Sequence, residues 1–403
     1  MIQNPDRPPQ PVFVLFLIYL SLLSGCSSMG YYYQAARGQL EIWQQRQPIT
    51  AILDQEPADS DLARRLHLVQ DILHYAHIEL ALPNNGSYRH YADLQRPYVV
   101  WNLFAAPELS LEPKQWCYPL LGCLNYRGYF NAEDALAEAR ELQQQGWDTY
   151  VGGVLAYSTL GWFKDPVLNT FWQLDDLGLA SLIFHELAHS LVFVADDTTF
   201  NESFATAVEL YGTGQWLAQQ APEALDWHVE QAQHSQQDRH VQHLQLLQAR
   251  FEQRQQVFRI VSESAEHLRQ LYASELPDRL KQDGKQRLFQ ELQARYQQLR
   301  QSWGEDLGFD GWFQTPFSNA KLITLTSYYD AVPMFLEKIR QLNGDLPAFY
   351  DWVRQLADRP KAERDAILAT LAPASADGPI PVHGAAPNTE AWEQGPPGVF
   401  KGP

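Results

Sequence analysis

The decapeptide Ser181–Ser190, SLIFHELAHS, sets two histidines four residues apart with a glutamate directly after the first. Residues at that spacing share a face, one turn apart, only in an α-helix, so His185 and His189 can reach one ion only if this stretch is helical. The flanks allow it. From Leu174 to Asp196 there is no proline, Asp175 or Asp176 is placed to cap the start, and the text supports about six turns, running about a turn past His189. Two imidazoles can then bind a metal while Glu186 stands within range of a water on it, the spacing that zinc hydrolysis requires.

Catalytic zinc takes three protein ligands and leaves a position for water. Glu202, with twelve residues between it and His189, supplies the third in NESFATAVELYG, read as a helix capped by Asn201 that stops or bends at Gly212. A reversal through DDTTF returns this helix antiparallel to the first and brings Glu202 to the level of the histidines. Glu209, seven residues further on the same face, is either an acceptor behind a ligand histidine or a surface acid.

With 30 Lys and Arg against 48 Asp and Glu, the net charge of −18 argues against nucleic acid and against an anionic membrane face as partners. The run VFVLFLIYLSLL, Val12 to Leu23, is shorter than the ~20 residues a spanning helix needs and suits a signal peptide over residues 1–25. Leu23-Ser24-Gly25-Cys26 resembles a bacterial lipobox, which implies lipidation at Cys26. Ser27 after it favours an outer-membrane anchor facing the periplasm. Cys117 and Cys123, six apart, can close a disulfide in such a compartment or remain two separate thiols.

A helix over LARRLHLVQDILHYAHIELAL shows Leu62, Leu66, Val69, Leu73 and Ala76 on one face. RPYVVWNLFAAP, CLNYRGYF and DTYVGGVLAYSTLGWF read as strands, the last running to Phe163, with a helix between the second and third from cap Asn131 to Gly146. Residues 215–303 are Gln-rich and read as two long helices broken at Pro277, with Leu244, Leu247, Phe251, Phe258, Val261, Ala265, Leu268 and Tyr272 as one seam and Phe289, Leu292, Tyr296, Leu299 and Trp303 as the other. The hairpin serves packing first and a protein partner second. Residues 304–372 return to helices, and the Pro- and Gly-rich tail 373–403 reads as disordered. The signal peptide, a body over 26–214, the hairpin and the returning helices form the expected domain plan.

HELAH followed by NESFATAVE resembles the gluzincin metallopeptidases. The ordered set GQLEIW, RPYVVWN, WCYPLLGC, YRGYF, AYSTLGWFKDP, HELAHS, FNESFATAVE, NAKL and YYDAVPMF is similar to a family of bacterial lipoproteins described as aminopeptidases. The resemblance implies an α+β, predominantly helical, zincin-like fold with a small sheet. It implies one Zn²⁺ on His185, His189 and Glu202, with Glu186 as general base and a peptide as substrate. Tyr328, with Tyr329 behind it, is the candidate donor to the tetrahedral oxyanion, and Asn319 reads as a helix cap. The strand before the metal helix is expected to edge the cleft, where an extended peptide can add. Two departures stand out: the Gly-x-Met-Glu-Asn segment with which large zinc aminopeptidases grip a free amine is missing, and Thr206 occupies the place of an Asp found in some gluzincins. The expectation is a zinc aminopeptidase of the envelope, with an endopeptidase or a metal-stabilised, non-catalytic scaffold as alternatives.

Overall fold

The computed structural model describes residues 30–118, 122–156, 159, 163–220, 234–303, 309–326 and 331–371. The signal peptide, Cys26, Tyr328, Tyr329 and the tail lie outside these, as do the side chains of Leu244, Leu247 and Phe251. The chain divides into two compact units, residues 1–45 and 46–403. In the first, residues 30–45 form helix α1. The second carries the rest.

In order, the second unit contains β1 (Gln47–Pro48), α2 (Ile49–Leu53), α3 (Asp61–Ile78), β2 (His90–Ala92), β3 (Val100–Pro107), β4 (Trp116–Tyr118), β5 (Gly122–Leu124), β6 (Arg127–Tyr129), α4 (Ala132–Gln144), β7 (Trp147–Val154) and β8 (Val167–Leu168). A 3₁₀ turn at Asn169–Gln173 leads into α5 (Asp176–Ala188) and α6 (Thr198–Gln220). Then come α7 (His234–Ala273), α8 (Asp278–Trp303), α9 (Asp310–Gln314), α10 (Asn319–Thr326), α11 (Val332–Gln341), α12 (Leu346–Ala357) and α13 (Lys361–Ala369). The chain is therefore α+β, mostly helical with small sheets.

The three-four spacing of α3 buries Leu66, Val69, Leu73 and Ala76 as expected, while Leu62 stays half-buried. Ser60 caps this helix by accepting from the Ala63 amide at 3.1 Å. α4 begins at its expected cap, with the Asn131 side chain accepting from the Glu133 amide at 2.8 Å, and is followed by Gly146 at φ +85°.

Among the described residues the strands fall into three small sheets, ordered β1-β2-β8, β6-β3-β7 and β4-β5. β3 and β7 pair antiparallel from Val100↔Val154 to Pro107↔Trp147. Gly153 is required there, because a Cβ would sit 2.3 Å from the Tyr98 ring. β7 lies at the edge of its sheet and ends at Val154 rather than at Phe163. CLNYRGYF is not one strand. A bend at Asn125–Tyr126 splits it into β5, paired to β4, and β6, paired to β3. Cys117 and Cys123 face each other across β4 and β5 and are disulfide-bonded.

α7 and α8 share one core with α9 and α10. Val257, Phe258, Val261, Leu268, Phe289, Leu292 and Tyr296 pack with Trp312, Phe313, Leu322 and Leu325. Asn319 is not the cap of α10; Ser318 is, accepting from the Lys321 amide at 3.1 Å. The Asn319 amide is drawn instead toward three carbonyls at and just past the end of β3, those of Pro107, Glu108 and Ser110 at 2.8–3.0 Å, while its oxygen accepts from the Tyr272 hydroxyl at 2.8 Å. It ties α7, α10 and the end of β3 together. A second aromatic nucleus, Phe200, Phe204, Phe335, Phe349 and Tyr350, fastens α6 to α11 and α12. Each such ring stabilises by roughly 1.5–3 kcal/mol through burial alone.

Candidate metal centre

Asp175 caps α5, accepting from the Gly178 amide at 2.8 Å, and every residue from Leu177 to Ala188 is buried. The helix does not run a turn past His189. It closes at Ala188, because the Ser190 and Leu191 amides bond three residues back, to the Leu187 and Ala188 carbonyls at 3.1 and 2.9 Å, tightening the last turn. α6 in turn starts before Asn201. Asp197 caps it, accepting from the Phe200 amide at 3.3 Å. The Asn201 side chain is thereby freed to bracket the connector, accepting from the Val194 amide at 2.8 Å and donating to its carbonyl at 2.7 Å. Glu202 thus sits in the second turn of α6, not the first.

α6 neither stops nor bends off at Gly212 but continues to Gln220. The glycine serves contact: a Cβ there would meet Leu80 at 2.6 Å and Phe184 at 3.1 Å. This close approach presses α6 against α5. The side-chain pairs His189–Glu202, His185–Glu202, His185–Glu209 and Ser181–Glu209 run in opposite directions along the two helices, so they are antiparallel.

The convergence is tight. His185 Nε2 lies 3.2 Å from His189 Nε2 and 3.3 Å from Glu202 Oε2, and His189 Nε2 lies 3.6 Å from the same oxygen. One ligand atom from each of the three falls within 4.8 Å of the others, and the group could hold a metal ion. Glu209 is no surface acid. It is 1% exposed, with one oxygen 2.9 Å from His185 Nδ1 and the other accepting from the Ser181 hydroxyl at 2.6 Å. That bond fixes the tautomer that turns Nε2 toward the cluster.

Burial opposes charge on His185, but the hydrogen bonds and charges of Glu202 and Glu209 outweigh it and hold its pKa well above the ordinary value. Burial likewise works against ionised Glu202, yet the two histidines bring its pKa down to about 2. Two buried acids and a proton are what such a site holds when it lacks a cation, and a metal would take the proton's place. Glu186 differs. Burial is the largest influence and raises its pKa, the histidine charges pull it back, and Glu202 and Asp165 raise it again. Its Oε2 and the Nδ1 of His189 are buried without a hydrogen-bond partner among the described residues. Orphaned polar atoms of this kind call for a water or ligand. The donor set of two imidazoles and one carboxylate, with a further carboxylate left over, fits a catalytic rather than a closed structural metal site.

Of the residues singled out in the sequence, the structure brings His185, Glu186, His189, Glu202 and Glu209 together. Ser181 was missed, although it stands one helical turn before His185 on the same face. Asp165 and Tyr88 were missed too. The charge of Asp165, in the turn before β8, acts on Glu186 and on the phenol of Tyr88, in the turn before β2, and no local pattern marks either residue. Asp196, in the connector, accepts from the Cys123 amide at 2.6 Å, so the disulfide hairpin is tied to the loop between the metal-site helices. No second group able to hold a metal forms among the described residues.

No curated protein and no solved structure matches the chain. Residues 30–368 match the family described as "Putative aminopeptidase". The match spans the sheets, both metal-site helices and the C-terminal helices, and the chain belongs to that family.

Proposed function

We propose that the protein is a zinc-dependent aminopeptidase of the gluzincin type. The observation that carries the reading is the convergence of His185, His189 and Glu202 beside an unpartnered carboxylate oxygen of Glu186. Zinc, when bound by these three, supplies Lewis-acid polarisation of the scissile carbonyl and acidifies water. Glu186 takes the proton of the attacking water at its free Oε2 and hands it to the leaving nitrogen. Burial, which raises its pKa, helps it hold that proton until the nitrogen leaves. Glu209, anchored by Ser181, keeps the His185 ring in its working orientation. Burial of the cluster strengthens each of these interactions by excluding water.

The oxyanion donor we assign is Tyr328. Ala331, three residues on in the sequence, donates its amide to Ser203 Oγ at 3.2 Å, next to Glu202. The lipobox-like Leu23–Cys26 and the Cys117–Cys123 disulfide support an envelope protein anchored through Cys26 to the outer membrane and facing the periplasm.

The test uses the full chain, solubilised in detergent and loaded with zinc. Native protein and Glu186→Gln are compared for bound zinc and for cleavage of free and N-acetylated peptide libraries. Loss of cleavage by 10²-fold or more with zinc retained is expected, with cleavage by the native protein confined to free N-termini. Cleavage of acetylated peptides at internal bonds would make it an endopeptidase, and tight zinc with no cleavage a scaffold.

A further inference from the structure

A chain of hydrogen bonds leads from the end of the metal helix to a second acid. The Asn85 amide donates to Ser190 Oγ, beside His189, at 3.1 Å, and Asn85 Oδ1 accepts from the Ser87 amide at 3.0 Å. Ser87 Oγ accepts from the Asp165 amide at 3.3 Å, and the Tyr88 amide donates to the Asp165 carbonyl at 2.6 Å. The turn so held is strained. Gly86 has φ +85° and Tyr88, a bulky residue, has φ +61° while its side chain is buried against Phe171. Strain of this kind persists where surrounding bonds enforce it and gathers at functional sites.

Asp165 is 9% exposed, yet its carboxyl has no ion-pair partner among the described residues. Its oxygens accept from the amide and hydroxyl of Thr159, at 3.0 and 2.8 Å. It lies close enough to Glu186, itself 8% exposed with an unpartnered oxygen, for its charge to disfavour ionisation of that base, and the Tyr88 phenol feels both acids. Burial without a cation pushes the Asp165 carboxyl up to about 6. A buried carboxylate lacking a countercharge is costly, and a ligand that brings the cation relieves that cost.

We propose that Asp165, held by the Tyr88 turn, is the acceptor for the free α-ammonium group of the substrate's N-terminal residue. This rests on the aminopeptidase reading and makes it more specific. The chain lacks the Gly-x-Met-Glu-Asn segment; Asp165, tied through Ser87 and Asn85 to Ser190 at the end of the metal helix and acting by its charge on Glu186, supplies an acid in its place. Blocking the amine removes the charge and leaves the carboxylate buried and unpaired, so discrimination is built into the acid itself.

The test is binding rather than turnover. Alanine hydroxamate and its N-acetyl form, which share a metal-chelating group, are titrated calorimetrically into zinc-loaded full-length protein. Native protein should bind the free-amine probe at least about tenfold tighter, the scale of one charge-assisted hydrogen bond. Asp165→Asn should abolish this preference while leaving zinc content and affinity for the acetylated probe unchanged. Thr159→Val removes the hydroxyl bond to Asp165 but keeps the carboxylate, and should keep the preference, which separates recognition from support of the turn. Equal binding of both probes by native protein, an undiminished preference in Asp165→Asn, or equal weakening of both probes by that variant would overturn the assignment. If neither probe binds, both the assignment and the metal-site reading fall. Selective binding with no cleavage of any peptide would instead sink the peptidase reading and leave the ammonium site standing.

Discussion

Asp165→Asn should make the metal-free protein more resistant to unfolding at neutral pH, and the gain should vanish in acid. The native Asp165 carboxyl is lifted from 3.8 to about 6 by burial, against the pull of its two Thr159 bonds. Between those values the folded state holds a proton that the unfolded state has released. The stability linked to it is complete below pH 3.8 and is lost as the pH rises through 6. A gap of about two pH units at 1.36 kcal/mol per unit sets an upper bound of about 3 kcal/mol above pH 6. Asparagine does not titrate and keeps an oxygen for Thr159. The pull of the charge-assisted Thr159 bonds on the ionised carboxylate is already contained in the value of about 6. The assay is urea unfolding of both proteins from pH 4 to 8 in the presence of a chelator, read as the difference between their unfolding free energies at each pH. That difference should move in favour of asparagine by about 2–3 kcal/mol between pH 4 and 7.5. A pH-independent difference, or one that grows toward acid, would show that Asp165 is compensated in the fold and would remove the reason to expect a cationic ligand there.

Two other perturbations probe the scaffold of the site. Glu209→Gln should lower zinc affinity by about 10–100-fold without unfolding the protein, measured by competition with a chromophoric chelator, because the acceptor that orients His185 is weakened while the ligands stay in place. Arg364→Met should destabilise by about 1–3 kcal/mol in chemical unfolding, since the buried Asp197 carboxylate that caps α6 loses its partner at 2.7 Å and keeps only the exposed Lys361 ammonium at 3.4 Å; adding Asp197→Asn should recover part of the loss.

The parts of the fold that follow a local period were legible. α3, α4 and the apolar faces of α7 and α8 announce themselves by spacing, because one buried stripe per helix is enough to write the pattern. The places where reading failed are those where a side chain's partner is distant in sequence. Asn201 has the chemistry of a cap, but Asp197 takes that role, and Asn201 brackets Val194. Asn319 has it too, but its amide is drawn off by carbonyls more than 200 residues upstream. Gly212 reads as a stop because glycine is a poor helix former, whereas here the missing side chain lets α6 close on Leu80 and Phe184. Local text can say that such a residue is special without saying for what.

The metal cluster was legible for a geometric reason. Two histidines one turn apart fix a face on α5, and acids seven apart fix a face on α6, so only the angle and offset between the helices remained open. The tightened end of α5 and the early start of α6 set that offset, and both depend on the connector. Its consequence is unequal support of the two histidines. With Thr206 in place of an acid four residues after Glu202, the supporting acid falls at Glu209 and reaches His185, while His189 Nδ1 stays buried without a partner among the described residues. His189 is also the residue just past the end of α5, where it caps the helix. The Asn85–Ser190 bond begins at the very next residue and leads to Asp165, which links the less supported ligand to the acid assigned to the substrate's amine. A ligand that orders the Asp165 turn would therefore act on His189 sooner than on His185.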